Sequence, residues 1–127
     1  SLAVAGRYRS GQSDLGSLGS KADSRIVPVH LDVTNAAHLE RVASQAEDVQ
    51  ILFNNAGVVN FGSVLDAPST AFSQNFDVNF FGVLHATRVF APALTRQRGA
   101  VVNILTLVAL ASMPSLGVYN ASKAAAW

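Results

Sequence analysis

Tyr119 and Lys123 are the residues of this sequence whose types and spacing suit proton transfer. Residues four apart on a helix share a face, so a phenol and an ammonium at these positions can reach the same point. A phenol with a pKa of about 10 is a poor acid–base catalyst at neutral pH, and a neighbouring ammonium favours its ionised form. Upstream, Thr106 supplies a hydroxyl that could hold a carbonyl or alcohol oxygen against the phenol. The three side chains suit proton exchange with a substrate oxygen.

The Tyr-x-x-x-Lys spacing is weak evidence alone, because such a pair more often lies on a protein surface. Its value depends on the elements that would position it. Short apolar segments predict buried strands, and apolar residues at helical spacing predict helices. The predicted strands cover residues 2–5, 25–31, 49–53 and 100–105; the predicted helices cover 36–47 and 68–91, and a last helix begins near Tyr119. Thr34 or Asn35 is expected to cap the helix 36–47, and Pro92 to interrupt the helix 68–91.

Alternating strands and helices predict an α/β fold with a doubly wound parallel sheet. The sequence starts without Met and stops within a predicted helix, so we expect residues 1–127 to form one partial domain, incomplete at both ends. Ligands of such sheets bind at the carboxyl ends of the strands. Polar residues or glycines follow each predicted strand, namely Arg7, Asp32, the segment 54–57 and Thr106. Each could be a turn or cap residue, but together they indicate one crevice.

Composition narrows the classes of partner. Charged residues make up only 13% of the chain, and the formal charge of +1 is dispersed, which argues against nucleic acid and anionic membrane surfaces. No apolar segment is long enough to span a membrane. The absence of cysteine excludes a thiol nucleophile and a thiolate metal site, and His30, His38 and His85 lack the spacing of metal ligands. We therefore expect a cytoplasmic protein without a metal.

Four motifs stand in register along the chain. They are Leu31-Asp32-Val33-Thr34, Asn54-Asn55-Ala56-Gly57, Val78-Asn79-Phe80-Phe81-Gly82 and Tyr119-Asn120-Ala121-Ser122-Lys123. One such motif is weak evidence, whereas four in order are strong evidence. On these motifs the chain resembles the classical short-chain dehydrogenases/reductases from about residue 1 to its end.

The resemblance implies catalytic roles for four residues. Tyr119 would be the general acid/base that exchanges a proton with the substrate oxygen. Lys123 would lower the pKa of that phenol and hydrogen-bond the ribose of a nicotinamide cofactor. Asn79 would hold a water molecule that links the lysine to solvent. Thr106 stands where the family has its catalytic serine, and its extra methyl group restricts the hydroxyl's rotamers.

The resemblance also implies a cofactor site. The residues that would contact the cofactor are Asp32 and Val33 at the adenine, Asn54, Ala56 and Gly57 along the cofactor, and Tyr119 and Lys123 near the nicotinamide. Asn55 is expected to tie neighbouring strands together. Arg7, near the end of the family's second strand, favours NADP because an arginine suits the extra phosphate, although a solvated loop arginine is an equal alternative. NAD therefore remains a second choice of cofactor.

The implied activity is hydride transfer between NADP and a small carbonyl or secondary alcohol. The family's glycine-rich phosphate loop is missing from this sequence, because Gly11, Gly16 and Gly19 have the wrong spacing and follow the wrong strand. Two alternatives therefore stay open: a non-catalytic member of the family, and a fragment that serves as an assembly module. The resemblance further implies a homodimer or homotetramer formed through the helices 68–91 and 119–127.

Overall fold

The computed structural model describes residues 29–127. Arg7, the predicted strand 2–5 and residues 25–28 of the predicted strand 25–31 lie outside the described residues. The described elements are helix α1 (Ala36–Gln45), strand β1 (Ile51–Asn54), helix α2 (Ser69–Phe76), a π-helical turn (Asp77–Phe81), helix α3 (Gly82–Gln97), strand β2 (Ala100–Asn103), a 3-10 turn (Leu107–Ala109) and helix α4 (Gly117–Ala125). Within these residues no helix is both long enough and apolar enough to cross a membrane.

Strands β1 and β2 pair in parallel, with Ile51 opposite Ala100 and Asn54 opposite Asn103. Successive side chains of a strand point to opposite faces. Accordingly Leu52 is buried, whereas Ile51 before it is exposed. The connection between the two strands contains α2, the π-helical turn and α3, and α3 packs against both strands. The parallel α/β architecture confirms the predicted fold class, although residues 29–31, the described part of the predicted strand 25–31, are in no strand.

Helix α1 begins where the sequence predicts. The Asn35 side chain caps it, because its Oδ1 accepts a hydrogen bond from the backbone N–H of His38 at 3.2 Å. Leu39 and Val42, on one face of the helix, are buried against the core that α3 also lines. The helix ends at Gln45 rather than at residue 47. The cap and the buried face are therefore confirmed.

The predicted long helix 68–91 is wrong in two respects. It is divided by the π-helical turn, in which the backbone N–H of Gly82 bonds to the carbonyl of Asp77. It also continues through Pro92 to Gln97 instead of stopping there. Phe90 and Leu94, on either side of the proline, are both buried. Their packing stabilises the helix although Pro92 has no N–H to donate a backbone hydrogen bond.

Helix α4 carries Tyr119 in its first turn, as predicted. It packs against the π-helical turn, α2 and the 3-10 turn. The segment before it is joined to the loop that follows β1 by an isolated parallel bridge between Gly62 and Leu116, in which the Gly62 N–H donates to the Ser115 carbonyl at 2.8 Å. The segments after β1 and after β2 thus meet beside α4.

Candidate active site

The carboxyl ends of the two strands are tied together by asparagine side chains. Asn54 Nδ2 donates to Asn103 Oδ1 at 2.9 Å across the sheet, and to Thr87 Oγ1 on α3 at 3.1 Å. This arrangement corrects the expectation for Asn55, since it is Asn54 that ties the strands. The reason is the alternation of side chains along β1, which turns buried Asn54 towards α3 and leaves Asn55 exposed. The Asn54 amide is already engaged by protein groups.

Lys123 is a buried cation at the end of β2. Its side chain is 5% exposed, and its Nζ donates to the Ile104 carbonyl at 3.4 Å. Burial lowers the pKa of the Lys123 amino group below its usual value of 10.5, because desolvation disfavours the charged form. The Nζ also lies 6.0 Å from the centroid of the Tyr119 ring. The structure therefore brings the phenol and the amine to the same side of α4, as their spacing predicts.

Gly57 lies against Asn79 and Lys123, two other residues of the predicted site. A Cβ atom built on Gly57 would be 3.4 Å from Lys123 Nζ and 3.4 Å from Asn79 Oδ1. Asn79 is fully buried; its Oδ1 accepts from the Val58 N–H, and its Nδ2 donates to the Val58 carbonyl, both at 2.9 Å. The end of β1, the π-helical turn and α4 therefore converge at Gly57. With no side chain on Gly57, a ligand can approach the backbone there closely.

Asp32 and Val33 lie in the turn before α1. The N–H and the hydroxyl of Thr34 both donate to Asp32 Oδ1, at 2.9 and 2.8 Å. Val33 is buried, and its Cγ2 would be only 2.7 Å from a Cβ on Gly82, so a side chain at Gly82 would displace it. The local bonds of Asp32 and the packing of Val33 fix this turn between α1 and α3. Ala56, by contrast, is half-buried and packs against the core.

Thr106 lies two residues beyond Ile104, whose carbonyl Lys123 contacts. Its backbone is extended, with φ −139° and ψ 160°, and its side chain is half-buried and does not cap the 3-10 turn that follows. Its hydroxyl is therefore not used as a helix cap. A hydroxyl donates one hydrogen bond and can accept others, which suits contact with a substrate oxygen.

Two fully buried polar residues, Asn75 and Ser122, are not among the predicted site residues. Asn75 bonds to Asn79, and so does Ser122, which joins both to the site. A signal was available for Asn75, because it precedes Asn79 by one helical turn on a face with apolar neighbours. Ser122 carried no such signal, since its partner lies on a distant part of the chain. Within residues 29–127, no three His, Asp or Glu side chains are grouped as a metal site would require.

A second face of α4 borders an open groove of about 630 Å³. Ala121 and Ala124 line it from the helix, and Met113 lines it from the segment before the helix. Asn120 lines it too; its Nδ2 donates to the Met113 carbonyl at 2.9 Å, while its buried Oδ1 has no hydrogen-bond partner in the described part of the chain. At 100° per residue, this face points away from Tyr119 and Lys123. The groove is thus separate from the candidate active site.

Residues 3–127 match the family model described as short chain dehydrogenase. The chain belongs to this family. Among its curated relatives, estradiol 17-beta-dehydrogenase 2 of Rattus norvegicus is 32% identical over 117 residues, which is 85% of this chain and 30% of that protein. The 2-(S)-hydroxypropyl-CoM dehydrogenase 3 of Xanthobacter autotrophicus is 35% identical over 99 residues, or 74% of this chain and 39% of that protein. The chain thus spans about a third of each of these relatives.

Solved structures of the short-chain dehydrogenase family share the fold. A short chain dehydrogenase from Burkholderia cenocepacia in complex with NADP has a TM-score of 0.80 at 42% identity, over 84% of this chain and 46% of that one. A short-chain dehydrogenase/reductase from Burkholderia phymatum in complex with NAD has a TM-score of 0.80 at 36% identity, over 88% of this chain and 44% of that one. These similarities confirm the Rossmann-like fold class.

Proposed function

We propose that the protein containing this chain is an oxidoreductase that transfers a hydride between a nicotinamide cofactor and a small carbonyl or secondary alcohol. The observation that carries the proposal is the convergence of Lys123, Asn79 and Gly57 beside Tyr119. A buried cation is costly unless it is compensated, and groups with such perturbed protonation cluster at functional sites. Membership of the short-chain dehydrogenase family supports the same conclusion.

In this proposal Tyr119 is the group that moves the proton. During reduction its hydroxyl donates a proton to the carbonyl oxygen, and during oxidation its oxygen takes the proton of the alcohol. The Lys123 ammonium stabilises the phenolate that remains after reduction, because opposite charges attract strongly where water is excluded. Thr106 holds the substrate oxygen in place with its hydroxyl. The cofactor, when bound, supplies or accepts the hydride.

The residues around Lys123 fit a ribose. An ammonium has three N–H donors, and within the described residues Lys123 uses its Nζ for one long bond to Ile104. Two donors are therefore available for the hydroxyls of a sugar that approaches over Gly57. We propose that Asp32 and Val33 lie at the adenine and that Asn54 and Ala56 contribute their backbone to the cofactor's path.

We propose NADP as the preferred cofactor, with NAD as the alternative. Arg7 supports NADP because a guanidinium can form two hydrogen bonds with a phosphate. Family members with similar structures have been solved with each cofactor, one with NADP and one with NAD. Assays with NADPH and NADH side by side should therefore give the lower KM with NADPH.

Replacing Tyr119 with phenylalanine tests the proposal in the intact protein. Since phenylalanine keeps the ring and loses only the hydroxyl, Y119F should lower kcat by at least about 100-fold, as expected for the loss of a general acid/base. The cofactor Kd and the melting temperature should change little. The measurement is NADPH oxidation with a panel of aldehydes and ketones, together with cofactor binding by titration calorimetry.

The matched control is Tyr8→Phe, the same chemical change at the other tyrosine of the chain. It should retain wild-type turnover. Turnover that survives in Y119F would place the proton transfer on another residue. A wild-type protein that binds no nicotinamide cofactor and turns over no carbonyl would favour the non-catalytic alternatives.

We further propose that residues 1–127 belong to one dinucleotide-binding domain of a cytoplasmic protein that assembles as a homodimer or homotetramer. The family model matches nearly the whole chain, which supports a single domain. Ala121 and Ala124 are small and exposed, and Asn120 Oδ1 has no hydrogen-bond partner among residues 29–127; both observations support an interface on α4. Phe81, in the π-helical turn within the segment 68–91, is 41% exposed and supports an interface on that segment.

A further inference from the structure

We propose that Asn75 is a positioning residue for the candidate active site, and that it acts through Asn79 and Ser122. The inference rests on the proposed function for its kinetic consequence. Its structural basis is a chain of buried and partly buried hydrogen bonds through four side chains, Asn60, Asn75, Asn79 and Ser122, here called the amide relay. The relay joins α2 to the turn of α4 that carries Tyr119 and Lys123.

Asn75 lies at the centre of the relay and is 0% exposed. Its Nδ2 donates to Asn60 Oδ1 at 2.6 Å and to the Ala71 carbonyl at 2.8 Å. Both of its N–H groups are therefore used. A buried amide is costly when unpaired, so the bonds of Asn75 fix the orientation of its side chain. That orientation turns Oδ1 towards Asn79.

Asn79 donates the next bond of the relay. Its Nδ2 donates to Asn75 Oδ1 at 3.4 Å, and to Ser122 Oγ and the Val58 carbonyl at 2.9 Å each. The two hydrogens on Asn79 Nδ2 are thus shared among three acceptors, and the bond to Asn75 Oδ1 is the longest of the three. The Asn75 and Val58 carbonyls can only accept, and the Ser122 hydroxyl uses its one hydrogen for the Tyr119 carbonyl, so all three face the Asn79 nitrogen and Oδ1 is left for the Val58 N–H. Asn75 is one of the four groups that hold the Asn79 amide in this orientation.

Ser122 carries the relay into α4. Its Oγ accepts from Asn79 and donates to the Tyr119 carbonyl at 2.8 Å. It is fully buried and directly precedes Lys123. A change at Asn75 therefore passes through Asn79 to the backbone of Tyr119 on one side and to Val58, next to Gly57, on the other. Small displacements of reacting groups slow catalysis substantially, which makes this placement consequential.

The test replaces Asn75 with leucine in the intact protein, because leucine has a similar volume and no hydrogen-bonding group. We expect kcat to fall about tenfold, while KM for the carbonyl substrate stays within about twofold. We also expect hydrogen exchange at the Val58 amide to become about tenfold faster, because that N–H bonds to Asn79 Oδ1. Exchange is measured by NMR or by mass spectrometry of peptides that span residue 58.

The control is Val42→Ala, which removes buried volume on α1 and touches no member of the amide relay. It should lower the melting temperature without changing kcat or exchange at Val58 beyond the general loss of stability. If N75L behaves like V42A in all three measurements, Asn75 only packs, and the inference is overturned. If the wild-type protein shows no oxidoreductase activity, the proposed function fails. Hydrogen exchange at the Val58 amide then remains as the test of the relay. Faster exchange in N75L than in V42A supports the relay, and equal exchange in the two variants overturns it.

Discussion

At the scale of single residues, Lys123 combines a charge with an environment that is nearly closed to water. Its side chain is 5% exposed, and its hydrogen bond to Ile104 is long at 3.4 Å. Desolvation lowers its pKa, so the folded state holds this proton less tightly than the unfolded chain does. Retaining such a residue is a cost to folding at neutral pH, and a cofactor ribose is a ligand that would offset it.

Replacing Lys123 with methionine should change how stability depends on pH. Below the lowered pKa both states carry the proton, and the penalty is constant. Between the lowered pKa and 10.5 the unfolded chain binds more protons, so the free energy of unfolding of the wild type rises with pH. K123M should lack this rise. Denaturant unfolding of both proteins from pH 7 to 10 measures the difference, and parallel curves for the two proteins would contradict it.

Replacing Thr106 with serine tests the hydroxyl at the end of β2. The methyl group of threonine limits the rotamers of its hydroxyl, and an off-rotamer side chain costs about 0.5–1.5 kcal/mol. T106S should therefore raise kcat by about two- to tenfold. Thr106→Val, which keeps the branched shape and loses the hydroxyl, is the control and should lower it. Steady-state kinetics that show no gain in T106S would mean that threonine does not limit turnover.

The sequence predicts that Tyr119 and Lys123 are close to each other, but it does not predict the contacts of the asparagines around them. The spacing of Tyr119 and Lys123 is enough to place them together, because helical geometry is local. The strand tie was expected at Asn55 and lies at Asn54, because side-chain alternation depends on where β1 begins. The bonds of Asn75 and Ser122 join parts of the chain that are distant in sequence, and no local pattern specifies such partners.

At the scale of elements, α3 ends in a conformation that favours glycine. Arg98 has φ 52° and ψ 40°, in the left-handed region. The next residue, Gly99, donates its N–H to the Leu94 carbonyl at 2.8 Å, and Arg98 donates to the Thr95 carbonyl at 3.2 Å. These two bonds form a Schellman motif, whose left-handed position is usually glycine. The arginine is therefore held in a strained backbone at this helix end.

Replacing Arg98 with glycine should raise the free energy of unfolding by a few tenths to about 1 kcal/mol, because it removes the steric cost of a left-handed side chain. Arg96→Gly is the matched control. It puts the same change in the last turn of the helix, where glycine should lower stability by about 1 kcal/mol. Urea unfolding of both variants gives the comparison, and stabilisation of neither or of both would be inconsistent with the motif.

The elements themselves were largely predictable, and their irregularities were not. Apolar spacing identified α1, β1 and β2 to within a few residues. The expectation that the strands are buried is wrong for much of β2 and for alternate residues of β1. No local sequence pattern indicates the π-helical turn, because it accommodates tertiary contacts of Asn79 with Val58 and Ser122. The helix past Pro92 was also missed, because packing of Phe90 and Leu94 overrides a local helix-breaking signal.

At the scale of the whole molecule, the groove beside α4 predicts self-association of the intact protein. Ala124 is exposed and lines the groove, so Ala124→Arg would place a charge where a second copy is proposed to pack. Light scattering should give a dimer or tetramer for the wild type and a smaller species for A124R. Ala36→Arg, an exposed alanine on α1, is the control and should leave the mass unchanged. A monomeric wild type, or an A124R protein that assembles normally, would contradict the interface.

One face of the sheet has a practical consequence for the handling of this polypeptide. Ile51 and Phe53 of β1 point to the same face of the sheet and are 42% and 37% exposed. In a preparation of these 127 residues alone, the exposed apolar surfaces of different copies can associate. It should bind fluorescent hydrophobic dyes, collect in inclusion bodies on recombinant expression, and stay in solution best when fused to a highly soluble carrier.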